Sequence, residues 1–142
     1  LDVRRFYSLT ADYTQQLLAA GIRVSIFIDP DPEQIKLAHE LGAPVIEIHT
    51  GRYADAKTEG ERASELERVR KAAEYGASLG LVVNAGHGLN YHNVQDIARI
   101  PQIAELNIGH AIIGQAVFVG LERAVKEMRA LMIEARMASR LA

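Results

Sequence analysis

Four short apolar segments, each followed by a helix-like one, predict an α/β fold in which helices cover a parallel sheet. Three observations carry the prediction. The apolar segments are brief and rich in β-branched residues, helix-start signals follow the first directly and the second after a polar loop, and polar side chains gather where each of them ends.

The first segment, residues 22–29 (IRVSIFID), lies between Gly21 and a proline-aspartate cluster and reads as a buried strand. A helix is expected at once, with Asp31 as N-cap, Pro32 at the first helical position and Gln34 completing a capping box. Gly42 ends it. Residues 44–51 (PVIEIHTG) form the second strand. After a polar loop, Thr58 and Glu61 supply a T-x-x-E start for a long helix running to about Gly80. Residues 81–85 (LVVNA) are the third strand, followed by a glycine turn and a short helix that Asn93 would cap before Pro101 interrupts it. Residues 103–109 (IAELNIG) are the fourth. Beyond it, Ala124, Val125, Met128, Leu131 and Met132 recur at helical spacing and mark an amphipathic C-terminal helix.

Composition narrows the function classes. The chain of 142 residues is 49% hydrophobic, enough for one domain with a sizeable core. Its 16 basic and 18 acidic side chains are interspersed, so neither nucleic-acid nor membrane-surface binding is expected. The lack of cysteine excludes disulfides and thiolate metal sites, and no apolar segment is long enough to span a bilayer. A cytoplasmic setting is the default expectation. The opening LDVRRFYSL has no initiating methionine and no signal-peptide layout, and reads as the middle of a longer protein.

Two architectures fit four strand-helix units, an open doubly wound sheet and part of a (β/α) barrel. The barrel is favoured by the polar groups at every strand end: Asp29, then Glu47 and His49, then Asn84 and His87, then Asn107 and His110. A full barrel of this kind takes roughly 250 residues, so the chain is expected to be a segment of a larger one or a half-barrel that must pair.

The strand ends of a parallel sheet converge on one face, which makes these side chains candidates for a single pocket. A lone loop histidine is more often a solvated polar group than a catalyst, and His39, on a helix, is read that way; the clustering of His49, His87, His92 and His110 argues for more. In AGHG, residues 85–88, glycines flank His87, an arrangement suited to acid-base work beside an anion. In NIGHAIIG, a strand end opens a helix, so amides around Gly109 and His110 can face a phosphate with the helix dipole behind them. Either turn can also serve merely to reverse the chain. Glu47 stands between isoleucines, where an ionised carboxylate needs a task or a pairing with lysine or histidine, and it should point the same way as His49. A metal site from His49, His87 and His110 is disfavoured, because matching carboxylates are sparse and no H-x-x-x-H pair exists.

Three separate stretches, FIDPDPEQIKLAHELGAPVIEIHTGRYADA, LVVNAGHGLNYHNV and ELNIGHAIIGQAVFVGL, resemble pyridoxine 5'-phosphate synthase of vitamin B6 biosynthesis, and the resemblance covers essentially the whole chain. It implies a (β/α)8 TIM barrel of which residues 1–142 form the C-terminal half, supplying about the last four strand-helix units. It also implies condensation of 1-deoxy-D-xylulose 5-phosphate with 3-amino-2-oxopropyl phosphate to give pyridoxine 5'-phosphate, phosphate and water, with no cofactor or metal. By the same resemblance His87 is the proton donor and Glu47 stabilises charge in the transition states, while Gly88, Gly109 and His110 bind the aminoketone phosphate. A homo-octamer is implied as well.

The departure from that family lies at the front. Its remaining catalytic residues, a basic histidine and a second glutamate, belong to the first half of the barrel, which this chain does not contain. The 142 residues alone are therefore expected to be inactive. The competing readings are a non-catalytic phosphate-binding half-barrel and a metal-dependent barrel hydrolase.

Overall fold

The computed structural model describes residues 1–139, so the last three residues of the expected domain lie outside it. Four parallel strands form a single sheet in consecutive order: β1 (Ser25–Ile28), β2 (Val45–His49), β3 (Val82–Gly86) and β4 (Ile103–Asn107). Doubly wound sheets reverse their strand order at a switch point, and no such reversal occurs here. The register sets Phe27 beside Glu47, Glu47 beside Asn84 and, past an irregularity at Val83/Asn84, Asn84 beside Glu105.

Alternation along the strands assigns the two faces. Ile26, Ile28, Ile46, Ile48, Val83, Ala85 and Ile103 are buried and form the core with the helices. The opposite face carries Ser25, Phe27, Glu47 and Val82, with Phe27 40% and Val82 37% exposed. Three of the expected strands are shortened by one to three residues at an end, whereas the third keeps its length and shifts by one residue, from 81–85 to Val82–Gly86.

The helices are α1 (Tyr7–Ala19), α2 (Pro32–Glu40), α3 (Gly51–Asp55), α4 (Glu59–Ser78), α5 (Val94–Ala98), α6 (His110–Val119) and α7 (Leu121–Ala138). Asp31 caps α2 by accepting from the Glu33 N–H at 2.9 Å, with Pro32 opening the helix. The expected capping box at Gln34 does not form. The Asp31 N–H is already donated to the Asp29 carbonyl, and Gln34 instead turns inward, where its Oε1 accepts from Val3 N–H at 2.7 Å. Gly42 follows α2 with φ of 82°, the left-handed conformation that ends a helix without a Cβ clash. At α4 the capping box is complete: Glu61 N–H donates to Thr58 Oγ1, and Glu61 Oε2 accepts from Thr58 N–H.

Two helices were not foreseen, α1 in the first twenty residues and the short α3 within the expected polar loop. The C-terminal stripe is only partly used: Ala124 and Met128 are buried against the neighbouring helices, while Val125 is 43% exposed. α6 has a different character. It is apolar on all sides and yet buries none of its residues, with Val117 78% and Phe118 85% exposed. Among the described residues, no helix is long and apolar enough to cross a membrane.

Ile46 is fully buried, and its Cδ1 lies 2.9 Å from where a Cβ on Gly76 would stand, so α4 packs backbone-close on the sheet. Ile46→Ala is expected to lower stability by about 2–5 kcal/mol, the cost of lost burial plus a cavity the tightly seated helix cannot fill. Urea unfolding monitored by far-UV circular dichroism measures it.

Candidate functional site

β3 ends at Gly86, and the next two residues both adopt left-handed backbone, His87 at φ 80° and Gly88 at φ 78°. Glycine takes this conformation freely, whereas for a histidine it costs on the order of 1 kcal/mol and persists only where the surroundings enforce it. Those surroundings are identifiable. Thr50, fully buried directly after β2, places its hydroxyl 2.7 Å from the carbonyls of both Gly86 and His87, which share its one hydrogen, and donates its N–H to the Gly86 carbonyl at 2.9 Å. Asn93 donates from Nδ2 to the Gly88 carbonyl at 3.2 Å.

The turn's carbonyls are thus tied down on the protein side, which fixes where the exposed His87 side chain begins. Asn93 differs here from its expected role. It sits at the N-cap of α5 but makes no side-chain cap bond, because its Oδ1 accepts from Asn90 N–H at 2.7 Å while Nδ2 holds the turn. Beneath it, Tyr53 donates its hydroxyl to the Asn93 carbonyl at 2.7 Å. Burial, together with the nearby Asp96 carboxylate, pushes the Tyr53 phenol up to about 12.

A cavity of about 410 Å³ opens over this turn, and five residues singled out from the sequence line it together: Glu47, His87, Gly88, Gly109 and His110. Phe27, Leu89, Asn107 and Ile108 complete the wall. Glu47 is half-buried rather than engulfed, because its flanking isoleucines point to the opposite face of the sheet. Its partner is neither lysine nor histidine; Asn107 Nδ2 donates to Glu47 Oε2 at 2.8 Å across two strands. Gly86 leaves room for that carboxylate, since a Cβ there would stand 2.4 Å from Glu47 Oε1 and 2.9 Å from the Asn107 carbonyl oxygen. Gly109 is the N-cap of α6 and His110 its first residue, so the unpaired amides of that helix's first turn open at the cavity wall.

His49 stands beside the cavity rather than in its wall. Its ring meets that of His87 edge-on with centroids 4.8 Å apart, and its Nδ1 is bonded to Asp29 Oδ1 at 3.0 Å. Asn84 lies below, buried, with Nδ2 toward Glu105 Oε1 at 3.4 Å and, among the described residues, no partner for Oδ1. His92 and His39 are exposed and outside the cavity. Among the described residues, no three histidine or carboxylate side chains converge in a metal-binding arrangement, so the His49, His87 and His110 trio considered from the sequence does not assemble.

Sequence reasoning missed Thr50 and Tyr53. Both sit just after β2 among residues with no motif spacing of their own, and their roles depend on a turn 36 or more residues away.

Comparison with known proteins adds two findings. The family model described as pyridoxal phosphate biosynthesis protein PdxJ matches residues 1–134. Among solved structures, the crystal structure of the Amycolatopsis orientalis BexX/CysO complex contains a chain of similar fold, with a TM-score of 0.66 at 17% identity over 94% of this chain. The present chain spans 50% of the length of that one, and the likeness concerns fold alone.

Removing the hydroxyl in Thr50→Val strands the His87 carbonyl without its donor, and should cost about 1–3 kcal/mol, whereas Thr50→Ser should be close to neutral; denaturant midpoints distinguish them. Tyr53 binds its proton more tightly folded than unfolded, where a tyrosine titrates near 10. Its contribution to stability is present in full below about pH 10 and is lost as pH rises toward 12. Tyr53→Phe should flatten that alkaline decline in thermal-melt midpoints.

Proposed function

This chain belongs to the PdxJ family of pyridoxal phosphate biosynthesis proteins, and on that premise we propose that it is the C-terminal half of a pyridoxine 5'-phosphate synthase. The half-barrel reading is supported by the consecutive parallel strand order, by the exposure of Phe27 and Val82 on the face opposite the core isoleucines, and by a fold match spanning half of the longer chain. The exposed apolar α6 and the uncovered Phe27 and Val82 are then surfaces for the first four strand-helix units. Assembly into an octamer and a cytoplasmic location belong to the same proposal.

The reaction joins 1-deoxy-D-xylulose 5-phosphate to 3-amino-2-oxopropyl phosphate and closes the pyridine ring with loss of phosphate and water. Ring closure needs protons delivered to departing hydroxyl groups, and His87 is the donor, since an imidazole can give and take protons near neutral pH. Glu47, oriented by Asn107, offers negative charge to cationic imine-like intermediates as they form. Gly88, on the turn after β3, and Gly109 with His110, at the α6 N-terminus, hold the aminoketone phosphate through backbone amides. Holding two anions in reacting geometry supplies much of the rate.

One observation carries this reading: a histidine kept in left-handed backbone by Thr50 and Asn93, in the same cavity as a carboxylate and a helix N-terminus. The second reading is phosphate binding without catalysis, for which the helix N-terminus at the cavity wall would suffice.

The test is complementation. Incubated with both substrates, the chain alone should yield no pyridoxine 5'-phosphate; mixed with a polypeptide supplying the first half of a family barrel, it should yield product detectable by chromatography. His87→Ala should abolish that product while phosphate binding, followed by calorimetry, is largely kept. A folded, assembled mixture without turnover leaves only the binding module, and turnover by the chain alone defeats the half-barrel account.

A further inference from the structure

The cavity holds one acid-base histidine, yet a second imidazole and a carboxylate stand directly behind it on the adjoining strand ends. We propose that Asp29 and His49 are positioning residues for His87: Asp29 locks His49 in one tautomer and ring plane, and the locked ring fixes the rotamer of His87. The proposal rests on the reading of His87 as the acid-base group.

Sheet register makes the arrangement. Ile28 pairs with Ile48 and His49 with Gly86, so Asp29, His49 and His87 follow one another across three neighbouring strand ends. His49 is constrained on three sides. Asp29 Oδ1 lies 3.0 Å from its Nδ1, the Phe27 ring meets it at a centroid distance of 5.2 Å, and the His87 ring meets it at 4.8 Å. Gly51, fully enclosed at the start of α3, leaves the space both rings use. A Cβ there would stand 2.6 Å from His49 Nε2 and 3.2 Å from His87 Cδ2.

An ionised carboxylate only accepts hydrogen bonds, so the His49 nitrogen facing Asp29 must carry the hydrogen. Neutral His49 is then the Nδ1–H tautomer, and its Nε2, on the side where His87 approaches, is left as a lone-pair acceptor. A ring so fixed presents one edge to His87. The backbone of His87 is already immobilised by Thr50, and the side-chain torsions are the freedom that remains. Edge-on packing against a ring that cannot flip removes that freedom, the same logic by which outer carboxylates orient functional imidazoles elsewhere.

The measurement is a long-range ¹H–¹⁵N correlation spectrum of the ¹⁵N-labelled chain, above the pH range where histidines titrate. His49 should appear as the Nδ1–H tautomer, and His87 ring protons should carry a ring-current shift from His49. In Asp29→Ala, His49 should revert to Nε2–H and the His87 shift should collapse toward free-histidine values. Asp29→Asn, which keeps an acceptor oxygen, should restore both. An Nε2–H tautomer for His49 in the unsubstituted chain overturns the proposal, and so does a His87 shift indifferent to Asp29→Ala. Neither readout involves turnover, so an inactive complemented barrel would sink the catalytic reading while leaving these spectra to be judged separately.

Discussion

The backbone after β3 is the constraint on which the site depends. Two successive left-handed residues turn the chain out of the sheet at Gly86, and the first of them is a histidine. Such a turn does not hold itself; the Thr50 hydroxyl, bridging two carbonyls from the end of the neighbouring strand, holds it. Because Thr50 is placed by β2 and the turn by β3, the bond between them is as rigid as the register of the two strands. The cavity inherits that rigidity, since Glu47 and His49 stand on β2 and His87 on the turn.

Much of the frame is readable in the residues. β-branched runs bounded by glycine and proline locate all four strands, and Thr58 with Glu61 locates the start of α4 because the capping box involves only residues three apart. The strand-end cluster is readable for a related reason: alternation settles which side chains share a face. Failures occur where a local signal has a distant competitor. Gln34 has the spacing of a cap but is claimed by Val3, and Asn93 has the chemistry of a cap but is claimed by the glycine turn. Thr50 has no local signature, since its two acceptors lie on another strand. α1 escapes notice because its start carries no side-chain cap to announce it.

The two faces of the sheet differ in what they demand of the sequence. On the helix side, isoleucine, valine and alanine fill space, and Gly76 lets α4 approach Ile46 and Val83 closely. On the other side, Glu47, Asn84, Glu105 and Asn107 run across the strands, linked by hydrogen bonds between carboxylates and amides. A parallel sheet buried on both faces reads as continuous apolar sequence; here the polar row interrupts the pattern at the level where the cavity opens, so the site is written into the sheet itself.

The consecutive strand order also bears on how the chain finds this structure. From β2 onward each strand pairs with its immediate predecessor, so every pairing closes a loop containing only the one or two helices that separate the strands. Closure entropy rises slowly with loop length, and no pairing has to wait for a distant segment to arrive. The sheet can grow in the direction of synthesis, one strand-helix unit at a time, each new unit docking on an edge already formed. Among the described residues β4 is an edge of the sheet, and an edge strand is a template on which a further strand can pair.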